Sequence, residues 1–247
     1  VLRTSELTKR FGAHAAVDGV SAEFATGELH AIIGPNGAGK TTLFNLLSGA
    51  LRPTGGTVEF GGRDVTRLDA TDRSRLGMGR SFQRTNVFPK LTVFENVRLA
   101  AQSRTARSFA LWQTAAALDS VNARAEDVLR EFGLLDQRSL LANELAGGDQ
   151  RLLELAITLA TDPALLLLDE PSQGLSPEDA RRLIDRIGTL AQRYTIVLIE
   201  HNMPLVMRLA DRITVMNFGR ILAAGTPEEI RANEAVRAAY LGKRPAR

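Results

Sequence analysis

The stretch "GPNGAGKTT", residues 34–42, constrains what this chain can fold into more than any other. It follows an apolar run, "LHAII" at 29–33, and leads into "TLFNLLSG" at 42–49, which reads as a helix. Strand, glycine-rich turn and helix in that order form a phosphate-binding loop. The glycines Gly34, Gly37 and Gly39 let successive backbone N–H groups turn inward as an anion nest. The helix N-terminus adds its partial positive charge. Pro35, Asn36, Ala38 and Thr42 complete the loop, Lys40 is placed to reach β- and γ-phosphates, and the Thr41 hydroxyl to hold Mg²⁺. The bland alternative is a glycine-rich turn before a helix, and the strand–loop–helix context argues against it.

A second stretch, "LLLLDEP" at 165–171, ends an apolar strand with two carboxylates. Asp169 is placed to hold Mg²⁺ through its water shell. Glu170 falls on the other face of the strand end, where it would polarise an attacking water. Pro171 stops the strand. A third stretch, "LAGGDQR" at 145–151, sets adjacent glycines at the start of a strongly apolar helical run. Glycine there costs backbone entropy and leaves amides bare.

The rest of the chain organises around these stretches. Short strand-like runs come first, at Leu2–Leu7, Ser21–Phe24, Leu29–Ile33 and Val58–Phe60, with Gly55-Gly56 and Gly61-Gly62 reading as turns between them. Val93 to Phe132 is helical in pattern. Thereafter strands and helices alternate: helix Asp149–Ala160, strand Leu165–Asp169, helix Pro177–Gln192, strand Thr195–Ile199, helix Met203–Leu209 and strand Ile213–Met216. Near-continuous apolar strands between helices predict a buried parallel sheet. The expected fold is α/β, a P-loop NTPase core with a parallel sheet, an N-terminal antiparallel β portion and a helical insertion.

Composition excludes several classes. The formal net charge is +3, from 31 Lys+Arg against 28 Asp+Glu, too small an excess to indicate a nucleic-acid partner. The absence of cysteine excludes disulfides and thiolate metal sites. "VLRTSELTKRFG" carries charges where a signal peptide needs an apolar run. The most apolar window, "LAITLATDPALLLL", is interrupted by Asp162 and Pro163 and does not reach a membrane span. Any link to a membrane is therefore expected to run through a partner protein.

The order of these motifs resembles the ATPase subunits of ATP-binding-cassette (ABC) transporters, over essentially the whole of residues 1–247. Phe11 resembles the aromatic residue that stacks on adenine, and the phosphate loop follows. Gln83 resembles the Q-loop residue that contacts Mg²⁺ and the attacking water. Leu145, Ala146, Gly147, Gly148 and Asp149 stand at the signature position, "LLLLDEP" at Walker B and "SQGLS" at the D-loop. His201 stands at the switch position that touches the γ-phosphate; it follows a strand end, where α/β sheets bind ligands. His14 and His30 match no motif and read as structural.

The resemblance implies ATP and Mg²⁺ as cofactors, with Glu170, His201 and Gln83 serving hydrolysis. It implies a single cassette domain, with 1–82 and 162–247 as catalytic core and 83–161 as Q-loop and helical subdomain. It also explains "LAGGDQR": the Gly147 and Gly148 amides are left bare for the γ-phosphate of ATP held by an opposite subunit. One chain then carries two incomplete half-sites and closes them by head-to-tail dimerisation, with an identical or a different ATPase subunit.

Within the family, "SFQRTNVFPKLTVFENVRLA", "IEHNMPLVMRLADRITVMNFGRILAAGTPEEI" and "AAYLGKR" resemble the ATPases of branched-chain amino-acid importers. That implies membrane permease subunits as direct partners and a solute-binding protein as an indirect one. The expected location is the cytoplasmic face of the bacterial inner membrane, peripherally bound. Three positions depart from the pattern: Ala146 replaces a serine, Asp149 a glutamine, and Ser176 an aspartate. Alternatives that stay open are an importer of urea or amides, a soluble cassette ATPase and a hydrolytically weak member of a heterodimer.

Overall fold

The structure, a computed structural model, describes residues 1–81, 87–105 and 115–241. An antiparallel sheet forms from β1 (Leu2–Phe11), β2 (His14–Phe24), β4 (Gly55–Phe60) and β5 (Arg63–Asp64), in the order β2-β1-β4-β5. The second sheet comprises β3 (Leu29–Ile33), β6 (Met78–Arg80), β7 (Leu165–Asp169), β8 (Thr195–Ile199), β9 (Arg212–Asn217) and β10 (Arg220–Gly225). Its order is β10-β9-β3-β8-β7-β6, parallel throughout except for the β9–β10 hairpin. The sequence-predicted architecture is the one observed.

Strand alternation builds two cores from one sheet. Side chains two apart share a face. Ile32, Leu165, Leu167, Val197 and Ile199 face α1 (Lys40–Leu47) and, beyond it, the antiparallel sheet. Ala31, Ile33, Leu166, Leu168, Ile196 and Leu198 belong to the other core, which the remaining helices cover. These are α3 (Val93–Thr105), α4 (Ala115–Phe132), α5 (Gly147–Ala160), α6 (Pro177–Ala191), α7 (Met203–Leu209), α8 (Pro227–Ala232) and α9 (Glu234–Leu241). Both faces of β3, β7 and β8 are thus buried, which is why these strands read as unbroken apolar runs.

One local expectation needs correction. Gly55 and Gly56 are not a turn but open β4. The Glu6 carbonyl lies 2.2 Å from where a Gly56 Cβ would stand, beside a break in the β1–β4 register, so the glycine serves a close strand crossing. The segment 63–80, unassigned from sequence, holds β5, α2 (Ala70–Arg75) and β6.

Helix α2 has a role visible only in three dimensions. Arg73 is 1% exposed and donates Nη1 to the carbonyls of Leu46 and Leu47, each at 2.7 Å. It thereby caps the C-terminal end of α1, where carbonyls lack their full helical partners and the helix dipole is negative. Burial draws its guanidinium down to about 10, with Asp64 opposing the shift. Arg73 also donates to the carbonyls of Leu68 (3.2 Å) and Thr66 (3.4 Å), and Arg73→Met is expected to destabilise the fold by about 3 kcal/mol, chiefly from the two short charge-assisted bonds to α1. Urea unfolding of both chains measures this as a lower midpoint at an unchanged slope.

Candidate functional site

The carboxyl ends of β3, β8 and β7 lie side by side, and the predicted motifs emerge from them. Residues 34–39 pass from β3 into α1, which begins at Lys40. Main chain rather than side chains shapes this loop. A Cβ on Gly34 would stand 2.3 Å from the Met216 carbonyl, and one on Gly39 the same distance from the Ala16 carbonyl. The Ala38 carbonyl accepts from the Gly219 N–H at 3.0 Å. Lys40 folds back to donate to the carbonyls of Gly34 (2.8 Å) and Pro35 (3.1 Å). Its burial draws the ammonium below the usual lysine range, while Glu170 and Asp169 pull the other way. Thr41 is exposed on the first turn of α1 and Thr42 is half-buried.

Asp169 is 2% exposed, and its Oδ1 has no hydrogen-bond partner. Burial and then the neighbouring Glu170 raise its carboxyl from 3.8 to about 6; Arg80 and Lys40 oppose, and Glu200 adds to the rise. A buried carboxylate oxygen left bare beside a phosphate loop fits a divalent cation. Such an ion keeps most of its water and takes few protein ligands besides phosphate, and Thr41 and Asp169 would hold it.

Glu170 has φ 45°, in the left-handed region, and its N–H donates to the Ile199 carbonyl at 2.9 Å. A non-glycine residue held there is strained, a feature that clusters at functional sites. His201 Nδ1 lies 3.8 Å from Glu170 Oε1 and 3.8 Å from Glu200 Oε2, so the structure brings the predicted switch histidine to the Walker B glutamate. Phe11 ends β1 at the hairpin with β2, 52% exposed, with Lys9 Nζ 5.4 Å from its ring centre. Gln83 lies outside the described residues.

At the signature, Ala146 is the N-cap of α5 and gives no side-chain cap, while Leu145 is buried beneath it. The first bonded amide of the helix is that of Gln150, to the Ala146 carbonyl. Asp149 turns away from this end: Oδ1 accepts from Arg182 at 3.0 Å and Oδ2 from Gln137 at 3.2 Å. Arg151, one turn along, donates to the Pro171 carbonyl (3.0 Å) and to Glu154 (2.6 Å), tying α5 to the Walker B turn.

Sequence reading missed three residues here. Glu200 is fully buried and accepts from the Ser172 hydroxyl and amide and from the His201 and Asn202 amides, pinning the switch to the Walker B turn. The signal was present, since Glu200 ends the apolar run "TIVLI" as Asp169 ends "LLLL". Tyr240 on α9 lies by the Gly34 backbone, which opposes the rise that burial brings to its phenol, up to about 12. Asn96 holds the backbone of Phe88 at both N–H (2.7 Å) and carbonyl (3.1 Å), and nothing local announces that. His30 is structural as expected: Nε2 meets the Thr214 hydroxyl at 2.8 Å, and burial lowers the ring to about 4.

A phosphate loop, a paired-carboxylate strand end and a histidine just beyond the end of the strand between them define a nucleotide-hydrolysing cassette. The family description "ABC transporter" matches residues 17–173, and "Branched-chain amino acid ATP-binding cassette transporter" matches 220–246. The chain belongs to the ABC ATPases. The high-affinity branched-chain amino acid transport ATP-binding protein LivG of Salmonella typhimurium is 44% identical over 250 residues, covering 98% of both chains. The corresponding protein BraF of Pseudomonas aeruginosa is 40% identical over the same share. Among solved structures, the ADP conformation of MJ1267, an ATP-binding cassette of an ABC transporter, superposes with a TM-score of 0.84 at 29% identity. It covers 98% of this chain and 99% of its own.

The raised Asp169 carboxyl carries a stability consequence. Its folded value exceeds its unfolded one, so ionised Asp169 destabilises the empty protein fully above pH 6 and not at all below about 3.8. Asp169→Asn is expected to stabilise the nucleotide-free chain by about 1–2 kcal/mol at pH 8, after allowance for solvent screening. The gain disappears as pH falls to about 4. Denaturant titrations of both chains across that range, without nucleotide or metal, measure it.

Proposed function

We propose that this chain is the ATP-hydrolysing subunit of an importer for branched-chain amino acids, bound peripherally at the cytoplasmic face of the bacterial inner membrane. The observation that carries the hydrolytic reading is the convergence of Lys40, Asp169, Glu170 and His201 on adjacent strand ends. End-to-end likeness to LivG and BraF, together with the matched tail at 220–246, supports the solute class. Among the described residues no helix is long and apolar enough to cross a membrane, which agrees with attachment through permease subunits.

In this reading the loop amides of 34–39 and Lys40 hold the β- and γ-phosphates of ATP. Thr41, Asp169 and Gln83 hold Mg²⁺, which neutralises phosphate charge when bound. Glu170 takes a proton from the attacking water, and His201, oriented through Glu200, contacts the γ-phosphate. Phe11 stacks on adenine with its exposed face. The bare amides at Gly147 and Gly148 receive the γ-phosphate held by a second ATPase subunit, so the working unit is a dimer. Asp149, turned to Arg182 and Gln137, keeps its charge away from that phosphate.

Glu170→Gln keeps the shape of the side chain but cannot take the proton. It is expected to lower phosphate release by at least about a hundredfold, the lower end of general-base contributions. ATP binding survives, and a dimer accumulates with ATP and Mg²⁺. Phosphate assays and size-exclusion chromatography measure both, and hydrolysis at the parental rate removes Glu170 from the mechanism.

Docking has its own observation. Phe88 is 59% exposed on a loop that Asn96 fastens, and Pro89 beside it is exposed. A large apolar ring displayed by a rigid loop suits a pocket for a permease helix. Phe88→Ser is expected to leave the ATPase rate of the isolated chain unchanged and to abolish co-purification with the permease subunits. Loss of helical circular dichroism in that variant would instead assign Phe88 to internal packing.

A further inference from the structure

Helices α5 and α6 lie side by side with adjacent N-termini. One begins at the signature and the other at the end of the D-loop. A Cβ on Gly148 would stand 2.2 Å from Asp179 Oδ1 and 2.4 Å from its Cγ. Asp179 is not free to swing aside. Its Oδ2 accepts from the Ser176 hydroxyl at 2.8 Å, its amide donates to that hydroxyl at 3.1 Å, and Arg182 Nη1 lies 3.6 Å from its Oδ1. The same guanidinium reaches across to Asp149 at 3.0 Å. Asp149 is only 14% exposed at its side chain, and Gln137 occupies its second oxygen. Two positions at which the chain departs from the family pattern, Asp149 and Ser176, therefore belong to one connected network.

We propose that Arg182 is a positioning residue that fastens the D-loop end to the signature amides, so that Ser176, Asp179, Gly148 and Asp149 move as one body. The proposal rests on the head-to-tail dimer reading. There, Glu170 and the turn after it belong to one ATP site, and the signature of the same chain to the other. A guanidinium spanning both elements transmits a displacement at one site to the amides serving the second. Its planar fork engages two carboxylates at once, which a lysine ammonium does with less definition. The coupling is a free energy between sites and shows as cooperativity.

The test uses the full chain in two backgrounds. With Glu170→Gln, sedimentation measures the ATP concentration that half-assembles the dimer. With native Glu170, steady-state hydrolysis gives the Hill coefficient. Arg182→Ala is expected to raise the half-assembly concentration about tenfold, the size of a lost charge-assisted contact. It also lowers the Hill coefficient from about 2 towards 1. ADP affinity at the phosphate loop and the thermal midpoint stay at parental values. Arg182→Lys restores part of both effects, and Arg181→Ala, on an exposed side chain of the same helix, changes neither. Parental assembly and cooperativity in Arg182→Ala overturn the inference. So does a loss that Lys fails to rescue and that brings down ADP affinity and thermal midpoint together, because that is a structural role. Absence of any ATP-dependent dimer in the Glu170→Gln background overturns the dimer reading itself, and the inference with it.

Discussion

Main chain pressed against main chain at residues 34–39 is the contact on which the rest depends. The carbonyl of Met216, from the parallel sheet, stands behind Gly34, and that of Ala16, from the antiparallel sheet, behind Gly39. Gly219 joins them, donating to the Ala38 carbonyl and accepting from the Asp18 amide. The loop is therefore the place where the two sheets meet, and its curvature is imposed from both sides. An anion nest built this way needs no side chain to hold it open. The same meeting fixes the β1–β2 hairpin relative to the loop and so positions Phe11.

Around that fixed loop the charges are arranged unequally. Asp169 ends one buried strand and Glu200 directly follows another, yet four hydrogen bonds satisfy Glu200, whereas Asp169 keeps an oxygen without a partner. The first carboxylate is structural, a pin between the Walker B turn and the switch. The second is costly in the empty protein, as its raised pKa records. A group that weakens the empty protein and is suited to a cation reflects the exchange of stability for activity expected at a functional site.

The parts legible in the sequence were those set by local pattern. The phosphate loop needs only its own glycines between an apolar strand and a helix. The strands β3, β7 and β8 were read to the residue because burial on both faces makes them continuous apolar runs. What stayed hidden depends on partners far away in the chain. Arg73 reads as a surface charge until the end of α1 is placed over it. Gly55-Gly56 reads as a turn until the Glu6 backbone is seen crossing it. Tyr240 meets the phosphate loop from the opposite end of the chain. Asn96 holds a loop whose spacing carries no signal.

The paired glycines of "LAGGDQR" show how far local reading reaches. Both look alike in sequence, and one explanation, bare amides for a phosphate, covers both. Their surroundings differ. No atom lies within 4 Å of the place a Gly147 Cβ would occupy, so packing makes no demand there. At Gly148 the place is already taken by Asp179, which Ser176 and Arg182 hold still. The second glycine is thus favoured by the packing of this chain itself, because a side chain there would have to displace Asp179, whereas packing makes no such demand of the first. Alike in sequence, the two glycines stand in different packing, and the one at 148 lets the signature helix lie close against α6.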